Sequence, residues 1–89
     1  MKAVISVISR DTTGIIAKVS GVLYENNINV LEISQSVLKD IFAMIMLVDI
    51  SSSSIPFTTL VDKMDVLGKE AGMVIHTMHH DIFNAMHRI

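Results

Sequence analysis

Two stretches of this chain are apolar on both sides of a strand, and they restrict the fold more than any other feature. In the run from Ala3 to Ile8, Ala3, Ile5 and Val7 point one way while Val4 and Ile8 point the other. From Ile41 to Ile50, Phe42, Met44, Met46 and Val48 oppose Ile41, Ala43, Ile45 and Leu47. A strand with two apolar faces needs cover above and below and partners on both edges, so each belongs inside a sheet. Residues 3 to 9 are therefore read as a strand in the middle of the sheet, and residues 41 to 50 as a buried strand with both faces covered.

The segments between them supply the other elements. Residues 14 to 26 place Ile15, Ile16, Val19, Val22 and Leu23 at helical spacing, and Asn26-Asn27 ends that helix, Asn being tolerant of a left-handed backbone. Gly21 inside the helix costs about 1 kcal/mol relative to Ala. A close approach to a strand or to another helix is the expected return. A strand follows from Ile28 to about Leu38, in which Val30, Glu32, Ser34 and Ser36 alternate with Asn29, Leu31, Ile33, Gln35 and Val37. Lys39-Asp40 reads as a two-residue hairpin turn. After a polar loop at Ser51 to Ser54, a helix begins near Ser54 or Ile55-Pro56. It buries Phe57, Leu60, Val61, Met64, Leu67 and Ala71, and Gly72 caps it. Met73 to about His80 is a fourth strand.

The order strand, helix, strand, strand, helix, strand, with right-handed crossovers, predicts an α+β fold of the ferredoxin-like βαββαβ type. It has a four-stranded antiparallel sheet and both helices on one face. Residues 1–80 form this domain, and residues 81–89 form a tail with Ile82, Phe83, Met86 and Ile89 on one helical face. The second sheet face is left bare and apolar, so a homodimer, the tail, or both should cover it.

Composition narrows the function. Eighty-nine residues form one small domain, yet 51% are apolar and mean hydropathy is +0.54, which again calls for burial against a partner subunit. No apolar run reaches the ~18 residues of a membrane span, and the start lacks a signal-peptide cleavage pattern, so no membrane role and a cytoplasmic location are expected. The chain has no cysteine, which removes disulfide and thiolate chemistry. Its formal charge is −2 with scattered bases and few aromatic rings, unlike a nucleic-acid-binding surface.

Catalytic patterns are similarly absent. His76 and His80 lie ~13 Å apart along a strand and cannot chelate one ion, so a metal site would need the tail to fold back and bring in His87 and Asp81. Plain surface histidines is the reading adopted, with no resident metal and no cofactor. There is no Gly-x-Ser-x-Gly elbow and no phosphate-binding glycine loop, and the chain is read as a non-enzyme. Met44, Met46, Met64, Met73 and Met78 fall at core spacing, which leaves Met86 for a partner role.

One stretch does point to chemistry. Arg10-Asp11-Thr12-Thr13-Gly14 joins the first strand to the first helix. Asp11 or a threonine can cap that helix, and Gly14 allows a sharp turn or close approach to a ligand. The free N–H groups and positive dipole end of the helix form a ready place for a small anion such as the carboxylate of an amino acid.

The run Asp11-Thr12-Thr13-Gly14-Ile15-Ile16-Ala17-Lys18-Val19-Ser20, with Asn27-Ile28-Asn29-Val30 and Gln35, resembles the ACT domain family. It looks most like the branch of glycine-cleavage regulatory proteins and the N-terminal domain of formyltetrahydrofolate deformylases. The resemblance extends from residue 3 to about 78. Many members carry Pro before the glycine, where this chain has Thr13. The resemblance implies dimers, often with sheets joined side by side, and amino acids bound at the interface near the first strand-helix turn. The matching residues are Asp11 and Gly14 in the turn and Asn29 at the start of the second strand, with Ser9 beside them. Backbone N–H groups at Gly14 and Ile15 would take a carboxylate, Asp11 an ammonium, and Asn29 offers a donor and an acceptor.

The chain is thus expected to be a regulatory homodimer that binds an amino acid or related small metabolite and acts on a partner enzyme or regulator. The alternative is a protein-interaction module whose bare sheet docks a partner chain, with no small-molecule ligand.

Overall fold

The computed structural model describes residues 1–10 and 13–81. Asp11 and Thr12 of the turn lie outside them, as do Ile82, Phe83, Met86, His87 and Ile89 of the tail. The elements are β1 (Lys2–Arg10), α1 (Ile15–Glu25), β2 (Asn29–Leu38), β3 (Ile41–Asp49), α2 (Phe57–Ala71) and β4 (Val74–His79). All strand pairs are antiparallel, in the order β2-β3-β1-β4. This is the expected ferredoxin-like arrangement, with the two doubly apolar strands in the centre.

The core lies between the sheet and the helices. Ala3, Ile5 and Val7 of β1 and Phe42, Met44, Met46 and Val48 of β3 pack against Ile15, Val19 and Leu23 of α1 and against Leu60 and Met64 of α2. Four of the five methionines placed in the core are buried there, and Met78 is half-buried. The opposite sheet face is only partly covered. Val4 is buried between its register partners Leu47 and Met78, whereas Ile41 and Ile45 are 50% and 44% exposed. Cover on both faces of β3 is therefore not supplied by the described residues of one protomer.

Local sequence explains the ends of the elements. Asn27 (φ 57°) and Gly72 (φ 71°) close the two helices with the left-handed backbone each tolerates, and Lys39 (φ 59°) makes the hairpin turn without a glycine. The start of α1 differs from expectation. Gly14, at φ 87°, occupies the cap position, and having no side chain it leaves the cap bond unmade. Thr13 does not hold that role, because the left-handed residue stands immediately before the helix; the capping expectation for Asp11 and Thr12 falls outside the described residues.

Two further corrections have physical causes. The register of β2 against β3 slips between Val30 and Glu32, with Leu31 as the extra residue of a bulge. Val30 then opposes Val48 on the core face, together with Ile33, Gln35 and Val37, rather than sharing a face with Glu32, Ser34 and Ser36. Gly21 makes no close approach, since a Cβ there would meet nothing within 4 Å. Among the described residues no close contact offsets its cost. Gly21→Ala is expected to stabilise the protein by about 0.5–1 kcal/mol through helix propensity. Thermal melts at fixed protein concentration check this, and a lower midpoint would show that α1 needs the glycine.

Candidate ligand site

The predicted site residues divide between the two ends of the sheet. Ser9 and the turn through Gly14 lie where β1 ends. Asn29 pairs with Asp49, which pairs with Lys2, so Asn29 lies where β1 begins. The seven residue steps from Lys2 to Ser9 span about 23 Å. The cause is topological. Both β1 and β2 run antiparallel to β3 and hence parallel to each other, and α1 carries the chain from the end of one back to the start of the other.

At the first end, the Gly14 carbonyl accepts the first helical bond from Lys18 N–H at 3.0 Å. The N–H groups that open a helix, those of Ile15 and its successors, have no intrahelical acceptor and sit in the positive field of the helix. The Ile15 side chain is buried in the core, so only its backbone faces outward chemistry. Ser9 Oγ donates to its neighbour's carbonyl, Arg10 O, at 2.8 Å, so its proton is already engaged. Asp11 lies outside the described residues.

At the second end, Asn29 lines a hollow of about 350 Å³ with Tyr24, Asn27, Ile28 and Ser52. Asn27 Nδ2 donates to Ser52 O at 2.9 Å, and Ser54 N–H donates to Asn26 O at 2.9 Å. These bonds tie the serine loop to the α1–β2 connection and give the hollow a firm wall. Tyr24, 86% exposed, and Ser52 were not singled out in the sequence. The signal available for Tyr24 was the lone tyrosine of the chain at the solvent side of an amphipathic helix. Beside this end, hydrogen bonds from Ser51 hold the Asp49 carboxyl below its ordinary range, and the chain's amino terminus lies 3.8 Å away.

Among the described residues no three metal-ligating side chains converge. His79 sits edge-on to Phe57, with its Nδ1 3.8 Å from the Asp81 carboxylate. No described helix is long and apolar enough to cross a membrane.

A four-stranded antiparallel sheet in the order β2-β3-β1-β4 with two helices places the chain among ferredoxin-like α+β domains. The family model for the ACT domain matches residues 2–78, and the chain belongs to that family. A UPF0237 protein of Methanocaldococcus jannaschii is 50% identical over 88 residues, covering 99% of this chain and 98% of its own. An ACT domain protein from Streptococcus pneumoniae superposes with a TM-score of 0.81 at 37% identity, with 98% of both chains covered. A formyltetrahydrofolate deformylase from Pseudomonas syringae shares the fold at a TM-score of 0.79 and 20% identity. That match covers 88% of this chain and 27% of the deformylase. ACT domains are regulatory modules that bind small molecules.

Proposed function

We propose that the chain is a regulatory homodimer that binds an amino acid, or a metabolite carrying the same carboxylate and ammonium groups, where two protomers meet. Occupancy of that site is what it reports to a partner enzyme or regulator. The observation that carries this reading is the separation of the turn from Asn29. A site containing both needs two chains, and the edge strand β2 offers the way to join them. Among the described residues its outer edge has no strand partner, and Ile33 and Val37 on its core side are 46% and 52% exposed. Pairing β2 with its own copy about a two-fold axis makes the two strands antiparallel. The beginning of one β2 then lies at the same end of the joined sheet as the partner's turn.

In that arrangement the N–H groups at Gly14 and Ile15 receive the carboxylate, Asp11 takes the ammonium, and Asn29 of the partner subunit supplies a donor and an acceptor. Ser9 serves as a neighbour through its oxygen. The test is a thermal-shift screen against the twenty amino acids. One compound should stabilise the protein, by about 2.7 kcal/mol at a hundredfold excess over its dissociation constant, and Asn29→Ala or Gly14→Ala should remove the effect. If no compound moves the midpoint at millimolar concentration, amino-acid sensing is wrong. The exposed isoleucines of the open sheet face, Ile8, Ile41 and Ile45, then favour a protein-docking module.

A further inference from the structure

The helix layer carries a second surface, separate from both halves of the candidate ligand site. A groove of about 440 Å³ runs between α1 and α2, with Val22, Val66 and Leu67 as its apolar part. Val22 and Leu67 also pack against the core, whereas Val66 is 53% exposed. Along α2 the lining positions step by three and four residues from Thr59 to Glu70, a straight wall of about 16 Å. The facing wall is the last turn of α1, where buried Asn26 donates through Nδ2 to Val22 O at 2.7 Å. Among the described residues, Glu25, Asp62 and Glu70 line the groove against a single cation, Lys63.

We propose that this groove is the docking site for an amphipathic helix of a partner protein. That helix carries apolar residues at i, i+3 or i+4, and i+7, flanked by lysine or arginine. A cleft between two helices, walled by residues at steps of three and four, has the shape that receives the ridge of a third helix. It is an open trough that cannot enclose most of the surface of a small ligand, which points to a polypeptide. Charge sets the partner's sign, since three carboxylates and one ammonium attract basic flanks and repel anionic membrane surfaces. The same charges argue against a second copy of this chain, because a two-fold contact would set Glu25, Asp62 and Glu70 against themselves. The proposal is independent of the amino-acid reading, since none of the residues to be substituted, Glu25, Val66 and Glu70, is among those proposed to touch the amino acid.

The experiment uses the full chain and a fluorescein-labelled peptide of about 18 residues, long enough to form a helix, with a leucine stripe flanked by lysines. A second peptide carries glutamate in place of each lysine. Anisotropy should show saturable binding of the basic peptide only, and amide shifts of the labelled protein should centre on Val22, Val66 and Leu67. Val66→Asp should weaken binding at least tenfold, as expected when a charge is buried in an apolar contact. Glu25→Lys with Glu70→Lys should reverse the preference toward the acidic peptide. All three positions are exposed, and matching melts confirm that the variants fold. Absence of saturable binding of the basic peptide at millimolar protein would overturn the proposal. So would undiminished binding by Val66→Asp, or shifts centred on Ile8 and Ile45 of the sheet.

Discussion

Gly68→Ala should destabilise the protein by about 1–3 kcal/mol, although the same change in an exposed helix stabilises by about 1 kcal/mol. A Cβ at Gly68 would lie 2.6 Å from the carbonyl oxygen of Met73 and 3.5 Å from Cγ1 of Ile75. The obstacle is backbone, which cannot turn aside as a side chain can. The contact exists because α2 reverses into β4 within a few residues, and Met73 N–H donates to Gly68 O at 2.8 Å to close that reversal. Accommodating the methyl pushes the end of α2 away from β4. That stretches this bond and loosens Leu60 and Met64, on the same stripe, from the sheet. At roughly 4–8 °C per kcal/mol for a domain of this size, the midpoint should fall by about 5–20 °C. Melts of parent and variant at one protein concentration measure it. An unchanged or raised midpoint would mean that α2 does not rest on the start of β4 through Gly68.

The two helix glycines show what the sequence could reveal and what it could not. Gly21 was noticed because it interrupts a helix, but interruption does not say which way a residue faces. Gly68 stands four residues after Met64 and eight after Leu60, on the buried stripe itself. That spacing was the available sign of close approach. The order of elements was legible because Ala3 to Ile8 and Ile41 to Ile50 carry apolar residues on both faces, so a one-residue slip still leaves an apolar face toward the core. The bulge at Leu31 had no such signal. Its side chain is an ordinary strand residue, and only the pairing of Val30 with Val48 and Glu32 with Leu47 reveals the extra position. For the candidate site, the separation of its proposed residues was derivable. A right-handed crossover returns the chain to the start of the sheet, so Asn29 had to lie a strand's length from Gly14 in its own protomer.

That separation makes a sharp prediction about which chain supplies each half of the site. Gly14→Ala and Asn29→Ala homodimers should each fail to respond to the amino acid that stabilises the parent. The first forces a Cβ onto a residue at φ 87°, which strains the turn by about 1–2 kcal/mol and re-aims its N–H groups. The second removes the only side-chain amide at the start of β2. Mixed and allowed to exchange subunits, the two inactive proteins should regain binding. In a mixed dimer one site combines both substitutions, while the other combines the intact turn of the Asn29→Ala chain with the intact Asn29 of the Gly14→Ala chain. Random exchange makes half the dimers mixed, so about a quarter of the parental binding capacity should return, at parental affinity. Titration calorimetry on the exchanged mixture reads both the capacity and the affinity. A site built within one protomer predicts no recovery at any mixing ratio, because every chain then carries its own defect. Binding retained by the Asn29→Ala homodimer itself would instead place Asn29 outside the contact shell. The quarter-capacity, full-affinity result is the one that a two-fold pairing through β2 requires.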